Sequence, residues 1–502
     1  MAHTDKNFSH LNRKNLINIT VPILVALVFF VFVFLYFPFR EKLQFNVDEG
    51  FNLIRSMMVT LGYPLYDQVS SDQPPLFTYS LAAVIRIMGI SIMPGRILVL
   101  LFSTLLVWSC SQFVQIIWGS AHTLLLLFLL LLLPRYMELS VSIMIGLPAL
   151  AMAALSLILL TMWHLSGRDC WLVLSGFALG LSILIKLFTG FLAPIFVTGM
   201  TIAQYSRLRK HRISIKWFQP ALIWGLSFAG LSIVLLSLLV GPQNMVDIIQ
   251  PHLTASTVES MRSFHNTINN HLRGAEPFLA LGLLGVLVTV QNRRWLTLYP
   301  TAWVFTAYLL LRSYSPVYYH QQLLVTVPVV MLGAAAAGEG ITWLFRLPRS
   351  KDFISMHSLL SILTLIGLVI VTINAYPDFE RELYNRPRWS GFSIKAPKYK
   401  LNVYLIMREY ASQTNWVVTD MPLYAVLIRK PVPPNLATFS AKRLDTGSLT
   451  EEEILNTVME YKPEQVLMVR FKIPELDEYL DQNYNLIHRA KRYRLYIRDD
   501  IN

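Results

Sequence analysis

Long apolar stretches, separated by short polar ones, run through the first three quarters of the chain. About eleven of them approach the roughly 20 residues that an α-helix needs to cross a bilayer. They lie near residues 17–39, 96–118, 121–134, 143–163, 171–187, 189–205, 218–240, 277–291, 296–312, 321–337 and 356–376. The pattern predicts a membrane all-α domain, a polytopic bundle of about eleven spanning helices.

From about residue 377 the chain loses these runs and shows shorter helix and strand signals. Three segments are typical of buried strands: Trp416–Val418, Gln465–Val469 and Tyr493–Ile497. Thr450 and Glu453 have the capping-box spacing that starts a helix. We predict two domains, a membrane domain over 1–376 and a small α/β domain over 377–502.

The apolar segment Pro75–Gly89 is short for a span and begins with paired prolines, which suit the first turn of a helix. We expect a juxtamembrane helix there. The most basic segments then share one side: 1–16, 164–170, 206–217, 291–295 and 338–355. The positive-inside rule makes that side cytoplasmic. We therefore predict a multi-pass protein of the plasma (inner) membrane, with a cytoplasmic N-terminus and an extracytoplasmic C-terminal domain.

Composition supports a membrane protein, because 54% of the 502 residues are hydrophobic and only 15% are charged. The net charge of +13 is scattered over several loops, so it indicates topology and predicts no nucleic-acid partner. Cys110 and Cys170 offer neither a disulfide framework nor metal-ligand spacing.

Carboxylates cluster just after the first predicted span, in Asp48-Glu49-Gly50 and Asp72-Gln73-Pro74-Pro75-Leu76. Ionised groups at a membrane surface are costly unless they face water, a cation or a substrate, so this cluster is a candidate site. Asp48 and Arg55 would share one face of a helix, where a carboxylate could accept a proton and an arginine could bind a phosphate. A solvated helix start is the alternative interpretation.

Other candidate residues stand near the outer ends of predicted spans: Glu138, Lys186, Arg312, Tyr319 and His320. Each has an ordinary alternative role, as a long side chain that reaches the interface or as part of an aromatic belt. Asp72 and Gln73 precede a helix start, which favours anions, while Asp72 itself could recruit a cation or simply cap the helix.

In combination these motifs resemble the GT-C superfamily of integral-membrane glycosyltransferases, in the branch of the protein O-mannosyltransferases and the lipid A aminoarabinose transferases. The resemblance covers nearly the whole chain. It rests on the two acidic motifs above, on Leu184-Ile185-Lys186, on Tyr319-His320-Gln321 and on Val418-Thr419-Asp420 in the tail.

The resemblance implies transfer of a sugar from a polyprenyl-phosphate donor to a protein, glycan or lipid at the outer membrane face, with inversion. Membrane lipids surround such a protein. Asp48 would be the general base beside Glu49, and Lys186 would support the donor phosphate. A divalent metal cation is a possible cofactor, with Asp72 and His265 as its ligands.

Two departures from the family pattern stand out. Gln73 replaces a lysine that meets phosphate in the aminoarabinose transferases, so an arginine such as Arg55 or Arg312 could take its place. The second acid of many relatives is absent near Gly146, and Glu138 could replace it. A secondary transporter or flippase, and a catalytically silent scaffold that binds a lipid carrier, remain as alternative functions.

Overall fold

The computed structural model describes residues 19–208, 215–246, 248, 267–314, 316–346, 356–384 and 396–501. Up to residue 384 the described chain is mainly helical: α1 Thr20–Tyr36, α2 Val47–Thr60, α3 Leu76–Met88, α4 Ile92–Ile117, α5 Ser120–Leu132, α6 Tyr136–Leu139, α7 Gly146–Ser166, α8 Cys170–Ile185, α9 Leu192–Arg207, α10 Gln219–Leu239, α11 Ile268–His271, α12 Glu276–Gln291, α13 Leu298–Ser313, α14 Leu323–Arg346 and α15 Met356–Tyr384. Each apolar stretch predicted as a span lies on one of these helices, which confirms the helical bundle.

Six helical segments in the described part are long and apolar enough to cross a membrane: Ile92–Ile117, Gly146–Ser166, Leu187–Arg207, Gln219–Leu239, Tyr319–Phe345 and Met356–Leu383. Others are shorter. The 13 residues of α5 extend only about 20 Å, against about 30 Å of hydrocarbon. An apolar run thus predicts a helix reliably, but the number of helices that cross is not fixed at eleven.

Small residues allow close approach inside the bundle. A Cβ added to Gly285 on α12 would overlap the carbonyl oxygen of Leu332 on α14. A Cβ added to Gly176 on α8 would lie 2.6 Å from the carbonyl oxygen of Trp224 on α10. Such contacts are the usual means of packing helices in lipid, where no hydrophobic effect drives them together.

Two helices outside the predicted spans, α2 and α3, follow α1. The side chain of Asn46 caps α2 by accepting a hydrogen bond from the Asp48 amide at 3.0 Å. The helix expected within Pro75–Gly89 is present as α3, and it ends at Gly89, whose φ of +84° favours glycine. Both helices lie next to the acidic motifs, so they position the candidate site.

Beyond residue 396 the described chain forms a small mixed domain. Its helices are α16 Lys398–Glu409, α17 Leu423–Leu427, α18 Ala441–Asp445, α19 Glu451–Tyr461 and α20 Pro474–Asn483. Its strands are β1 Val417–Thr419, β2 Gln465–Met468, β3 Tyr484–Ala490 and β4 Tyr493–Arg498. They form one sheet in the order β1-β2-β4-β3, in which only β1 and β2 pair in parallel. The predicted α/β character and the capping box at Thr450 are confirmed.

Among the four strands of this sheet, β3 is the one that the sequence analysis missed. It is an edge strand, most of its residues are at least partly exposed, and a register irregularity interrupts its pairing between Leu486 and His488. Such a strand shows little of the alternation of apolar and polar residues by which a strand is predicted from sequence. The predicted domain boundary after residue 376 stays a prediction, and α15 runs from Met356 to Tyr384.

The small domain packs directly on α2 and on the segment that joins α2 to α3. A Cβ on Gly50 would lie 2.7 Å from the backbone nitrogen of Leu423, at the start of α17. The Thr438 hydroxyl donates a hydrogen bond to the Ser70 carbonyl oxygen at 2.7 Å. Only glycine at position 50 permits this contact, which brings the C-terminal domain beside Asp48.

Candidate active site

Asp48 is the second residue of α2 and is half-buried. Within the described residues its carboxylate forms no side-chain hydrogen bond and has no cation within 4 Å. Burial raises the pKa of the Asp48 carboxyl, whereas Lys186 and Arg55 lower this pKa and Asp72 raises it. Asp48 is therefore a half-buried carboxylate that has charged groups around it but is directly paired with none of those that the structure describes.

Glu49, the adjacent residue, is in a different situation. Its carboxylate is fully buried and accepts two hydrogen bonds from Arg96, at 3.0 and 3.2 Å. The amides of Phe45 and Ile143 donate to the same carboxylate at 2.7 and 3.2 Å. Glu49 thus ties the start of α2 to α4 and to the segment before α7.

Hydrogen-bonded polar side chains continue along the face of α2 that the spacing of Asp48 and Arg55 predicts. The Asn52 amide donates to the Ile143 carbonyl at 2.8 Å, and its oxygen accepts a hydrogen bond from Arg55 at 2.6 Å. Arg55 also donates to Ser71, and its guanidinium lies 3.9 Å from the Asp72 carboxylate. The two acidic motifs are therefore joined through Arg55.

Lys186 stands between α8 and the turn Leu187–Phe191, with 7% of its surface exposed. Its ammonium nitrogen lies 3.2 Å from Nε2 of His320. Among the residues that the structure describes, no carboxylate lies within 4 Å of Lys186. A buried cation without a paired anion is costly, which points to an anionic ligand at this position.

Gly146 and Tyr319 lie close to Lys186 and His320. A Cβ on Gly146 would lie 3.8 Å from the Lys186 ammonium and 3.6 Å from the ring of His320. The Tyr319 hydroxyl accepts a hydrogen bond from Asn46 at 3.0 Å. The turn Tyr319–Gln322 therefore contacts both the cap of α2 and Lys186.

The other predicted residues lie at varying distances from this cluster. Glu138 forms an ion pair with Lys42 at 3.7 Å, and Arg312 is exposed at the end of α13. The backbone carbonyl of Gln73 accepts hydrogen bonds from Tyr66 and Ser71. His265 lies outside the described residues. The structure thus brings together Asp48, Arg55, Asp72, Lys186, Tyr319 and His320.

Two cations of the C-terminal domain were missed by the sequence analysis. The Lys442 ammonium lies 2.7 Å from the Asp72 carboxylate. Arg470 lies 5.8 Å above the ring of Phe51 and interacts electrostatically with Asp48. The buried carboxylate of Asp420 accepts hydrogen bonds from the amides of residues 469–471 and so fixes the loop that carries Arg470. No local pattern marks either cation, because their partners lie hundreds of positions away.

The donor set for a metal is incomplete in the described part of the chain. It contains no group of three or more His, Cys, Asp or Glu side chains placed to hold a metal ion. Asp72, the predicted ligand, is already paired with Lys442. The metal therefore stays a prediction that depends on residues such as His265.

Comparison with known proteins agrees with this architecture. Residues 72–236 match the family described as dolichyl-phosphate-mannose-protein mannosyltransferase. No curated protein sequence matches the chain.

Solved structures are similar over nearly the whole length. ArnT from Cupriavidus metallidurans bound to undecaprenyl phosphate is 12% identical, with a TM-score of 0.62 over 95% of this chain and 97% of that one. The oligosaccharyltransferase AglB from Archaeoglobus fulgidus, in complex with an inhibitory peptide and a dolichol-phosphate, is also 12% identical, with a TM-score of 0.53 over 90% and 69%. The chain therefore has the fold of ArnT and AglB, and residues 72–236 match a mannosyltransferase family, in agreement with the resemblance that its motifs carry.

Proposed function

We propose that the chain is a glycosyltransferase that moves a sugar from a polyprenyl-phosphate donor to a hydroxyl group of a protein, glycan or lipid. One observation carries the proposal: Asp48, a half-buried carboxylate, interacts electrostatically with Lys186, a buried cation that has no carboxylate within 4 Å among the described residues. A proton acceptor beside a phosphate-binding cation is what this transfer requires. ArnT, with the same fold, was solved with undecaprenyl phosphate bound.

The reaction follows from these roles. Asp48 takes the proton of the acceptor hydroxyl, and the resulting oxygen attacks the anomeric carbon from the face opposite the phosphate. The bond between that carbon and the phosphate oxygen breaks, so the configuration inverts. The polyprenyl phosphate leaves with the bonding electron pair, and Lys186 and Arg55 stabilise its negative charge.

The surrounding residues hold this arrangement in place. Glu49 fixes the first turn of α2 through Arg96, so it is a positioning residue rather than a second base. Asn46 caps the same turn and contacts Tyr319. Both residues fix the first turn of α2 and so hold Asp48 in position.

A divalent cation at Asp72 remains part of the proposal only as an auxiliary group. Binding there would have to displace the Lys442 ammonium from the carboxylate. When bound, the cation would neutralise charge on the leaving phosphate. Metal analysis of the purified protein, before and after stringent chelation, tests this: a retained stoichiometric metal supports it, and full activity without metal contradicts it.

We further propose that the site faces the extracytoplasmic side, because the sequence predicts a cytoplasmic location for the most basic segments and the opposite side for the acidic motifs. A cysteine placed after Asn502 should react with an impermeant reagent from outside intact cells. A cysteine within 207–216 should react only after permeabilisation. The reverse labelling pattern would contradict this topology.

The substrate class is tested by mass spectrometry of lipid-linked sugars in cells with and without the gene. We expect one polyprenyl-phosphate sugar to accumulate on deletion and to be consumed by the purified protein. A transporter or flippase would instead change which side of the membrane holds a lipid, without consuming it. A silent scaffold would bind the carrier lipid but leave the amount of donor unchanged.

A further inference from the structure

The C-terminal domain contributes charge to the space that the proposed donor phosphate would occupy. Lys442, on α18, is only 17% exposed and contacts Asp72 at 2.7 Å. The Asp72 carboxylate also lies 3.9 Å from the guanidinium of Arg55. Lys442 of the C-terminal domain and Arg55 of the membrane domain therefore contact the same carboxylate.

Electrostatic interactions link these groups directly. Lys186 interacts electrostatically with Asp48, Asp72 and Lys442, and Asp48 interacts electrostatically with Arg470. Four cations, Arg55, Lys186, Lys442 and Arg470, thus face the two carboxylates Asp48 and Asp72, with Asp420 behind Arg470. Positive charge is in excess even when Asp420 is included.

Lys186 and Lys442 are like charges in a largely buried region, so their mutual repulsion is weakly screened. An anion placed between them would remove this repulsion and gain charge-assisted hydrogen bonds. Asp72 neutralises only part of the local charge. A phosphate group is the anion that the proposed reaction would bring to this position.

We infer that Lys442 of the C-terminal domain binds the phosphate of the polyprenyl-phosphate donor, with Arg470 as a second contact from the same domain. This inference rests on the proposed function. Gln73, the residue after Asp72, carries no charge, and Lys442 supplies an ammonium group 2.7 Å from the Asp72 carboxylate. The small domain is then part of the donor site rather than an appendage.

The test measures binding of undecaprenyl phosphate, and of undecaprenol without the phosphate, to the full-length protein in detergent. Lys442→Gln should weaken binding of the phosphate lipid about tenfold to a hundredfold, the usual effect of losing one charge-assisted hydrogen bond. Binding of undecaprenol should not change. Lys442→Arg should retain most of the affinity, and Lys472→Gln, at an exposed lysine next to the Arg470 loop, is the matched control.

A double variant separates phosphate binding from simple pairing with Asp72. If Lys442 only neutralises Asp72, then Asp72→Asn combined with Lys442→Gln should restore wild-type affinity, and this result would overturn the inference. Continued weak binding supports it. Equal losses for both lipids, or wild-type affinity in Lys442→Gln, would also overturn it. If the wild-type protein itself fails to bind undecaprenyl phosphate, the proposed function falls together with the inference.

Discussion

Replacing Arg96 with methionine should strongly destabilise the protein and loosen the start of α2. Arg96 is 1% exposed and Glu49 is fully buried, and the guanidinium also donates to the carbonyls of Phe39 and Lys42 at 2.5 and 2.6 Å. Methionine fills a similar volume but leaves the Glu49 carboxylate with only its two amide donors. Removing one partner of a buried ion pair costs about 3–5 kcal/mol.

The assay is a double-mutant cycle read by thermal unfolding of the purified protein in detergent. Arg96→Met should be the least stable variant, and Glu49→Gln combined with Arg96→Met should recover part of the loss, since no buried charge remains unpaired. Arg86→Met removes an exposed arginine from α3 and should change little. Wild-type stability in Arg96→Met, or a double variant less stable than Arg96→Met, would refute this reasoning.

Two further predictions concern the same region. Burial raises the pKa of the Asp48 carboxyl, so this base should become protonated at a pH above the usual aspartate pKa of about 3.9. Activity should therefore already fall as the pH is lowered towards that value. A pH profile of kcat/KM that stays flat down to that value would argue against Asp48 as the base. Gly50→Val should separate the C-terminal domain from α2, since a Cβ there would lie 2.7 Å from the Leu423 nitrogen. Limited proteolysis should then cleave the C-terminal domain of this variant faster than that of the wild type. An unchanged rate of proteolysis would exclude a tight contact.

The sequence predicts those parts of the fold that depend on local patterns. Apolar runs mark the bundle helices, and Thr450 with Glu453 marks the start of α19, because these signals arise within a few residues. The strand β3 escapes detection because an exposed edge needs no apolar alternation. The sequence also does not fix the number of spans, because the length of each apolar helix and its burial inside the bundle decide which helices cross a membrane.

The candidate site was predicted only in part for a related reason. The sequence shows Asp48 and Glu49 as adjacent acids, but only the structure shows that Arg96 pairs with Glu49 and not with Asp48. Lys442 and Arg470 approach the site through tertiary contacts across more than 300 positions. Such contacts leave no periodic or local signal in a single sequence.

The most direct test of the account is the rate of sugar transfer by purified Asp48→Asn. This variant keeps the size of the side chain but cannot accept the acceptor proton, so transfer should fall about 10²-fold or more while donor binding persists. Glu49→Gln should lose less transfer, and Asp481→Asn, at an exposed position on α20, should behave as wild type. Transfer by Asp48→Asn at close to the wild-type rate would contradict the assignment of Asp48 as the base.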